Sequence, residues 1–417
     1  MKNWNRWVQG TLILVSFLLF RIFVNYGSGS GPAGPSSFFR VPRVERQQNL
    51  DASLSIPLLD KVNEYWMVKG ETQIRNMGNI RLTSRGQSGQ YGMIVSNGAG
   101  DNILDDFETI IHFNIYNKNN PTRGNYLMGD GMAVMITPEK DFVSYNHLSS
   151  YARKQYEHNS GGIMYNDRDL MGLPRNLPGL AVVVDTYRND AKTKINPPFM
   201  TVLLNMDPQK HHYSLATDGK ESTGHLLMGP HRLKNSLMSG KDVKLRIIYL
   251  ESIGFLKIDI RYHGSDEWIE LYQKDKNLYL PKNKRTGERY IAISALTGQL
   301  SETVEIQRVE TSEFHWDGHT DEEFNYAEEM QFFLAHEFGE RIGIQESEYS
   351  SWKLAKSQGR TNLDLPSQKK SSSSKSHFVM KWVCIIVFLY GLSLSVRITL
   401  KRMRKVRTKK YAVSILG

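Results

Sequence analysis

A chain of 417 residues with a formal net charge of +10 has room for one large domain with appendages, or for two domains. The positive charge lies at the ends, because residues 397–417 carry eight Lys and Arg side chains and no acid, while the centre of the chain is slightly acidic. This distribution argues against a nucleic-acid-binding domain with a basic face, and the single cysteine, Cys384, excludes a disulfide within the chain.

Residues 1–30 have the order of a signal peptide. Lys2 and Arg6 precede the apolar run TLILVSFLLF, and the small-residue stretch GSGSGPAGP follows it. Arg21 interrupts the apolar region, so an uncleaved signal anchor is the alternative. In either case we expect membrane targeting at this end of the chain.

Residues 40–312 carry the pattern of an all-β domain. Short apolar and β-branched runs are separated by turn clusters, as in DGMAVMITPEK and PFMTVLLNMDPQ. The run LRIIYL alternates between polar and apolar residues, whereas AVVVD and TVLL have the continuous apolar character of strands buried on both faces. Because strands and helices do not alternate regularly, the pattern predicts an antiparallel sandwich.

A helix is predicted next, within residues 320–342. Thr320 and Glu323 form a capping box, and apolar residues then recur at helical spacing from Phe324 to Phe338. We expect either a short stalk, through which the chain forms a homo-oligomer, or a helix packed on the edge of the sandwich.

The C-terminal part predicts membrane attachment. A Ser/Lys-rich linker, 355–377, leads to the apolar segment 378–400 and the basic tail 401–417. Only fifteen residues separate Lys381 from Arg397, but both side chains are placed to reach the lipid headgroups. The positive-inside rule puts the tail in the cytosol and the β domain in the lumen, so we expect one transmembrane helix in a type I membrane protein.

The run GLAVVVDTYRND, residues 179–190, ends a buried strand at an acid. The turn that follows offers the Asp185 carboxylate, the Tyr187 carbonyl and the Asn189 side-chain oxygen from one tight bend. Calcium is bound in proteins by oxygen ligands of these kinds. The alternative is a structural role, in which Asp185 only caps the turn.

Six stretches in this order resemble the L-type (legume-type) lectins, over about residues 48–312. They are IRLT at 80–83, DFE at 106–108, GDGMAVMIT at 129–137, GLAVVVDTYRND at 179–190, YSLATDG at 213–219 and SALTGQL at 294–300. The nearest resemblance is to the membrane-anchored branch of the early secretory pathway, in the form of a divergent fungal member. It implies a concanavalin-like jelly-roll sandwich, calcium as a cofactor, and high-mannose glycoproteins as ligands.

The resemblance also implies roles for individual residues. Calcium would be held by Asp185, by Tyr187 through its carbonyl, by Asn189 and by Asp218. Sugar would be bound by Asp130 and Asn189, with Ser88, Gly298, Gln299 and Leu300 at further sugar-contacting positions. Acceptors fixed by an ion lose little conformational freedom when a sugar replaces water.

The chain departs from the family pattern at two sugar-binding positions. Leu215 stands where the family has a histidine, and His211 and His212 lie on the other side of Tyr213, so they could substitute only through a register shift. In the late loop, Gln299 replaces an aspartate.

These observations leave two main hypotheses. The first is a lectin-like receptor of the endoplasmic reticulum and early Golgi, which binds glycoproteins and contacts vesicle coat proteins through its tail. The second is a non-sugar-binding tether or adaptor at the endoplasmic reticulum or nuclear envelope, which binds a protein ligand through the same sandwich. A divergent fungal branch of the family, described as interacting with a SUMO protease, fits the second.

An enzyme is the least favoured hypothesis. Related sandwiches include glycosidases, which need two carboxylates that flank the scissile bond. Glu302, Glu305, Glu310 and Glu313 lie late in the chain, but no E-x-D-x-E strand occurs.

Overall fold

The computed structural model describes residues 44–100, 104–117, 128–160, 162–163, 165, 167–316 and 325–358. The predicted signal peptide, apolar C-terminal segment and basic tail lie outside these residues. The described residues contain no helix with the length and hydropathy of a membrane span.

The described part of the chain forms fifteen strands. They are β1 (Val44–Gln48), β2 (Trp66–Gly70), β3 (Gln73–Ile74), β4 (Ile80–Thr83), β5 (Tyr91–Ser96), β6 (Asp106–Tyr116), β7 (Gly131–Thr137), β8 (Gly179–Asp185), β9 (Phe199–Asn205), β10 (His225–Arg232), β11 (Val243–Leu250), β12 (Phe255–Arg261), β13 (Ile269–Lys274), β14 (Tyr290–Leu296) and β15 (Thr303–Trp316).

Two antiparallel sheets are built from these strands. The eight-stranded sheet has the order β13-β12-β11-β6-β15-β4-β3, and β1 pairs with the C-terminal part of β15. The seven-stranded sheet has the order β10-β9-β8-β7-β14-β5-β2. The all-β antiparallel sandwich predicted from the sequence is therefore confirmed, and it extends past residue 312 because β15 runs to Trp316.

The main core lies between the sheets, where side chains such as Ile111, Val182 and Ile247 are fully buried. Alternate residues of the seven-stranded sheet, including Ala181 and Val183, face a second apolar layer on the other side. This two-sided burial explains why the central strands are continuously apolar, and each buried aliphatic side chain stabilises the fold by about 1.5–3 kcal/mol.

Four α-helices and three short 3₁₀ helices accompany the described strands. The α-helices are α1 (Leu58–Tyr65), α2 (Ser150–Asn159), α3 (Tyr326–Phe338) and α4 (Glu346–Ser357). The 3₁₀ helices are Asp141–His147, Leu215–Thr217 and Asn235–Met238.

Helix α3 packs on the outer face of the eight-stranded sheet. The Phe333 ring meets Phe314 and Trp316 edge to face, with centroid distances of 5.0 and 5.2 Å. Asn325 caps the helix by accepting a hydrogen bond from the Glu328 N–H, while the predicted capping box lies outside the described residues. The helix is thus packed on the sandwich, which is the second of the two predicted alternatives, although it lies on a sheet face and not at the edge. The predicted homo-oligomer therefore has no stalk as its basis in the described residues.

Helix α4 corrects the start of the predicted linker. The helix continues to Ser357, and the side chains of Trp352 and Ala355 are buried against the domain. Lys356 forms an ion pair with Asp105, which lies directly before β6. Residues 355–357 therefore belong to the folded domain and not to a polar linker.

Candidate functional site

The candidate site lies at one end of the seven-stranded sheet, where β7 begins and β8 ends. Gly131 pairs with Asp185 across these strands, so the preceding Asp130 lies beside the end of β8. The Asp130 carbonyl accepts the Thr186 N–H at 2.9 Å, and the Asp130 N–H donates to the Leu296 carbonyl at 3.0 Å. Three segments distant in sequence are thereby fixed together.

Glycine is required at position 131 by this close approach. Its φ is +143°, and a Cβ atom there would lie 2.1 Å from the Val184 carbonyl oxygen. No other residue combines this backbone conformation with this contact. The glycine that follows Asp130 in the stretch GDGMAVMIT is thus required by the strand pairing.

Asp218 lies in the loop after β9, and its carboxylate holds the turn that follows β8. Its Oδ1 accepts the Asn189 N–H at 2.7 Å, and its Oδ2 accepts the Asp190 N–H at 3.2 Å and the Thr193 hydroxyl. Asn189 donates from its side-chain nitrogen to the Leu215 carbonyl at 3.3 Å. The sequence-predicted residues Asp185, Asn189 and Asp218 are therefore brought into one cluster.

Asp185 has an uncompensated buried oxygen. The side chain is 1% exposed, and its Oδ1 accepts the Tyr187 N–H at 2.9 Å, but its Oδ2 has no hydrogen-bond partner in the described residues. Burial raises the pKa of Asp185, and the charges of Asp218, Asp130 and Glu302 raise it further. The carboxylate must therefore take up a proton or meet a cation.

Basic partners do not balance this cluster. Among the residues that the structure describes, no Lys or Arg forms an ion pair with the buried carboxylates of Asp130, Asp185, Asp218 and Glu302. A group of acids without a cation is unfavourable when all are ionised, because each charge lies in a poorly solvated environment. The site thus has the electrostatics of a cation-binding cluster.

The donor set fits calcium better than a transition metal. One oxygen of Asp185 has no hydrogen-bond partner among the described residues. Asn189 uses its side-chain nitrogen for the bond to the Leu215 carbonyl, and that bond does not involve its side-chain oxygen. Within the described ranges, no group of three or more His, Cys, Asp or Glu side chains has metal-ligand geometry. Calcium is not excluded by that finding, since it also takes amide, backbone and water oxygens.

Glu302 also belongs to the site, although the sequence did not predict it there. In the sequence it stands out only as one of the late acids that a glycosidase would need. It is fully buried directly before β15, and its Oε2 accepts the Thr186 hydroxyl at 2.6 Å. Its Oε1 has no partner in the described part of the chain. Burial raises the pKa of Glu302 to about 8, with a smaller contribution from Asp130. An acid between the late loop and a strand was the only sequence signal.

Tyr213 lies close to the cluster, and the sequence did not predict it as a site residue. Its hydroxyl is buried without a partner among the described residues, and burial raises its pKa, as do the charges of Asp185, Asp218 and Asp130. Gly219 fits against the ring, since a Cβ atom at this glycine would lie 3.0 Å from Tyr213 Cε2. The phenol is therefore a buried neutral group next to the acids.

The predicted sugar-binding residues are partly brought together. Asp130 is buried, which raises its pKa to about 6, and a Cβ atom on Gly298 would lie 2.6 Å from its Oδ2. The Gly298 carbonyl accepts the Gly89 N–H at 3.0 Å, so the loop of exposed Ser88 is joined to the same edge. Gln299 is exposed and Leu300 half-buried in the late loop.

The two departures from the family pattern remain in the structure. Leu215 packs its side chain against the outer apolar layer of the seven-stranded sheet. His212 contacts the Thr223 hydroxyl at 3.1 Å, and Tyr213 is held by its N–H bond to the Arg175 carbonyl at 2.8 Å. Because Tyr213 is fixed in the core, the register does not shift to bring a histidine to the position of Leu215.

Comparison with known proteins shows the family to which this chain belongs. Residues 45–321 match the legume-like lectin family. Protein UIP5 of Saccharomyces cerevisiae is 42% identical over 426 residues, which cover 96% of this chain and 94% of UIP5. The Ca²⁺-bound exoplasmic/lumenal domain of VIP36 is 22% identical with a TM-score of 0.49, over 66% of this chain and 94% of that domain.

The legume lectin-like domain from Entamoeba histolytica is 19% identical with a TM-score of 0.39, over 64% of this chain and 98% of that domain. Family membership itself rests on the match over most of the sandwich and on the similarity to UIP5. It agrees with the prediction that the chain is not an enzyme. The chain belongs to the legume-like lectin family.

Proposed function

We propose that this chain is a lectin-like receptor that binds high-mannose glycans of glycoproteins through a calcium-organised site. The observation that carries the proposal is the buried Asp185 Oδ2, which lacks a partner within an acidic cluster that no described basic residue balances. A divalent cation would neutralise this cluster and fix its oxygen atoms when bound.

The residues of this chain divide the work of binding. Asp218 holds the backbone of Asn189 and Asp190, while Asp185 holds the Tyr187 N–H, so the turn is ordered from two sides. Asp130 is fixed through its main chain and offers its carboxylate oxygens to sugar hydroxyls. Because a sugar is already hydrogen-bonded to water, such pre-ordered acceptors are what make its binding favourable.

The sequence pattern supports a location for this receptor. We place it in the membrane of the endoplasmic reticulum and early Golgi as a single-pass type I protein, with residues 1–30 as signal peptide and 378–400 as transmembrane helix. The basic tail then lies in the cytosol, where it is available to vesicle coat proteins. Protease protection of epitopes placed in residues 34–43, after the signal peptide, and in the tail tests this topology.

A glycan array tests the binding activity. The full-length protein is applied to the array once with calcium and once with a chelator. We expect high-mannose glycans to retain the protein only when calcium is present. Asp130→Asn should remove this signal, whereas the matched variant Asp207→Asn, at a carboxylate paired with Lys210 away from the cluster, should not. Absence of any mannose-dependent signal from the unaltered chain would exclude the lectin function.

One observation favours a second candidate, a non-sugar-binding adaptor at the endoplasmic reticulum or nuclear envelope. Leu215 turns its side chain into an apolar layer and Gln299 is a neutral amide, so two sugar contacts of the family pattern are missing. Calcium-dependent stability without retention of any glycan would support this adaptor, whose ligand is then a protein.

A further inference from the structure

A cavity of about 480 Å³ opens between the two sheets at the edge formed by β10 and β13, and we name it the edge cavity. It lies far from the candidate site, because Leu204 at the cavity pairs with Leu180 at the start of β8, whereas Asp185 ends that strand. Its volume is within the range of about 300–1,000 Å³ that small-molecule pockets occupy in proteins.

The edge cavity is lined by both apolar and polar groups. Its apolar part consists of Leu204 and Leu278, which are buried, and of Leu227 and Tyr272, which are half-buried. Leu226 is 41% exposed at the opening, beside a register shift between Leu226 and Met228 that interrupts the pairing of β10 with β9. Folding therefore leaves apolar surface here that a ligand would remove from water.

The rim of the edge cavity is polar and carries no acid. Lys274 supplies an exposed positive charge, and His225 and Asn277 supply further polar groups, while none of the lining residues is Asp or Glu. An apolar ligand with an anionic end is complementary to this arrangement. A cationic amphiphile is not, because its charge would meet Lys274.

An added peptide strand is a poorer occupant. The β10 edge contains Pro230, which has no N–H to donate, and its pairing with β9 shifts register twice. These features are typical of edges that do not accept another strand. We propose that the edge cavity binds a single-chain amphipathic anion, an apolar chain that ends in one carboxylate.

Photolabelling of the full-length chain tests this site. The probe is a decanoate that carries a diazirine at its far end, and labelled peptides are identified by mass spectrometry. We expect labels on residues of β9, β10 and the Asn277–Tyr279 loop, and competition by decanoate at lower concentrations than by decanol. Labels elsewhere in the chain, or equal competition by the two compounds, would overturn the proposal.

Two variants separate the charge from the cavity. Lys274→Ala should weaken competition by decanoate about threefold, the value of one exposed ion pair, and leave competition by decanol unchanged. The matched variant Lys284→Ala, at an exposed turn outside the cavity, should alter neither. Leu227→Trp should fill the cavity and abolish labelling in a chain whose circular dichroism is unchanged. Labelling that survives Leu227→Trp would contradict the site, whatever the outcome for calcium and mannose.

Discussion

The carboxylate of Glu302 and the hydroxyl of Thr186 are joined by a buried hydrogen bond of 2.6 Å. Thr186 also donates its N–H to the Asp130 carbonyl, and Asp130 donates to the Leu296 carbonyl. Glu302 is therefore the point at which the start of β15 holds the end of β8 and the bend before β7. One buried acid thus connects the residue before β15 with the turn that follows β8 and, through Thr186, with Asp130.

Replacement of Glu302 should reduce the stability of the domain only if the new side chain cannot accept the hydrogen bond from the Thr186 hydroxyl. Near pH 6 the acid is mostly protonated, so Glu302→Ala should cost about 2–4 kcal/mol through the cavity and the unpaired Thr186 hydroxyl. Glu302→Gln keeps an acceptor and the volume, and should change the free energy of unfolding by less than about 1 kcal/mol. Urea denaturation in the presence of chelator measures both. Equal losses for the two variants would contradict the role of this hydrogen bond.

The acidic cluster should make the calcium-free domain less stable as the pH rises. The pKa of Glu302 is raised from 4.5 to about 8 and that of Asp130 from 3.8 to about 6, chiefly by burial. Because the folded chain binds these protons more tightly than the unfolded chain, their stabilisation is complete below about pH 4 and is lost as the pH rises through 6 and 8. We expect the Tm in chelator to fall by several degrees over this window.

Calcium should reverse that trend, since it is bound by deprotonated carboxylates. The difference in Tm between calcium and chelator should therefore grow from about pH 5 to about pH 8, as measured by differential scanning fluorimetry. Glu302→Gln should flatten the pH dependence in chelator. A Tm that rises with pH in chelator would be incompatible with a buried, unbalanced cluster.

Asp185→Asn should separate ion binding from folding. The amide retains the shape of the side chain but removes the charge, so we expect calcium affinity to fall on the order of 100-fold in isothermal titration calorimetry. In chelator the same variant should be at least as stable as the unaltered chain near pH 8, because the neutral amide needs neither a proton nor a cation in this buried site. The control Asp207→Asn should leave calcium binding unchanged. Lower stability of Asp185→Asn in chelator would indicate a purely structural aspartate.

The central strands could be predicted because burial on both faces requires consecutive apolar residues. In β8, Val182 faces the inter-sheet core and Val183 the outer layer, and a run of apolar residues is the pattern of such two-sided burial. The end of this run at Asp185 also marked the candidate site. Glu302 was not predictable in the same way, because it lies 116 residues from Thr186 and gains its partner only through the fold. The same holds for α3. Its helical spacing indicated an apolar face, but the sequence did not indicate which sheet packs against that face.

The packing of α3 on the eight-stranded sheet predicts a large effect at one aromatic residue and a small one at its neighbour. Phe333 is buried against Phe314 and Trp316, so Phe333→Ala should cost about 3–5 kcal/mol in the free energy of unfolding. Phe332 is only half-buried and stacks on His336, so Phe332→Ala should cost about 1 kcal/mol or less. Urea denaturation of the full-length chain, followed by tryptophan fluorescence, compares the two. Equal and small changes in the free energy of unfolding for both variants would instead support a stalk that does not pack on the sheet.

Gly298→Ala should test Asp130 without altering any acid. A Cβ atom at position 298 would lie 2.6 Å from Asp130 Oδ2 and 2.9 Å from Oδ1, so the carboxylate must move from its position. Because Asp130 is the proposed sugar acceptor and not a calcium ligand, we expect mannose-dependent retention to be lost while calcium binding stays within about twofold. The matched variant Gly343→Ala places its methyl group where no atom lies within 4 Å, and it should change neither property. If Gly298→Ala retained full glycan binding, the sugar would have to be bound without Asp130.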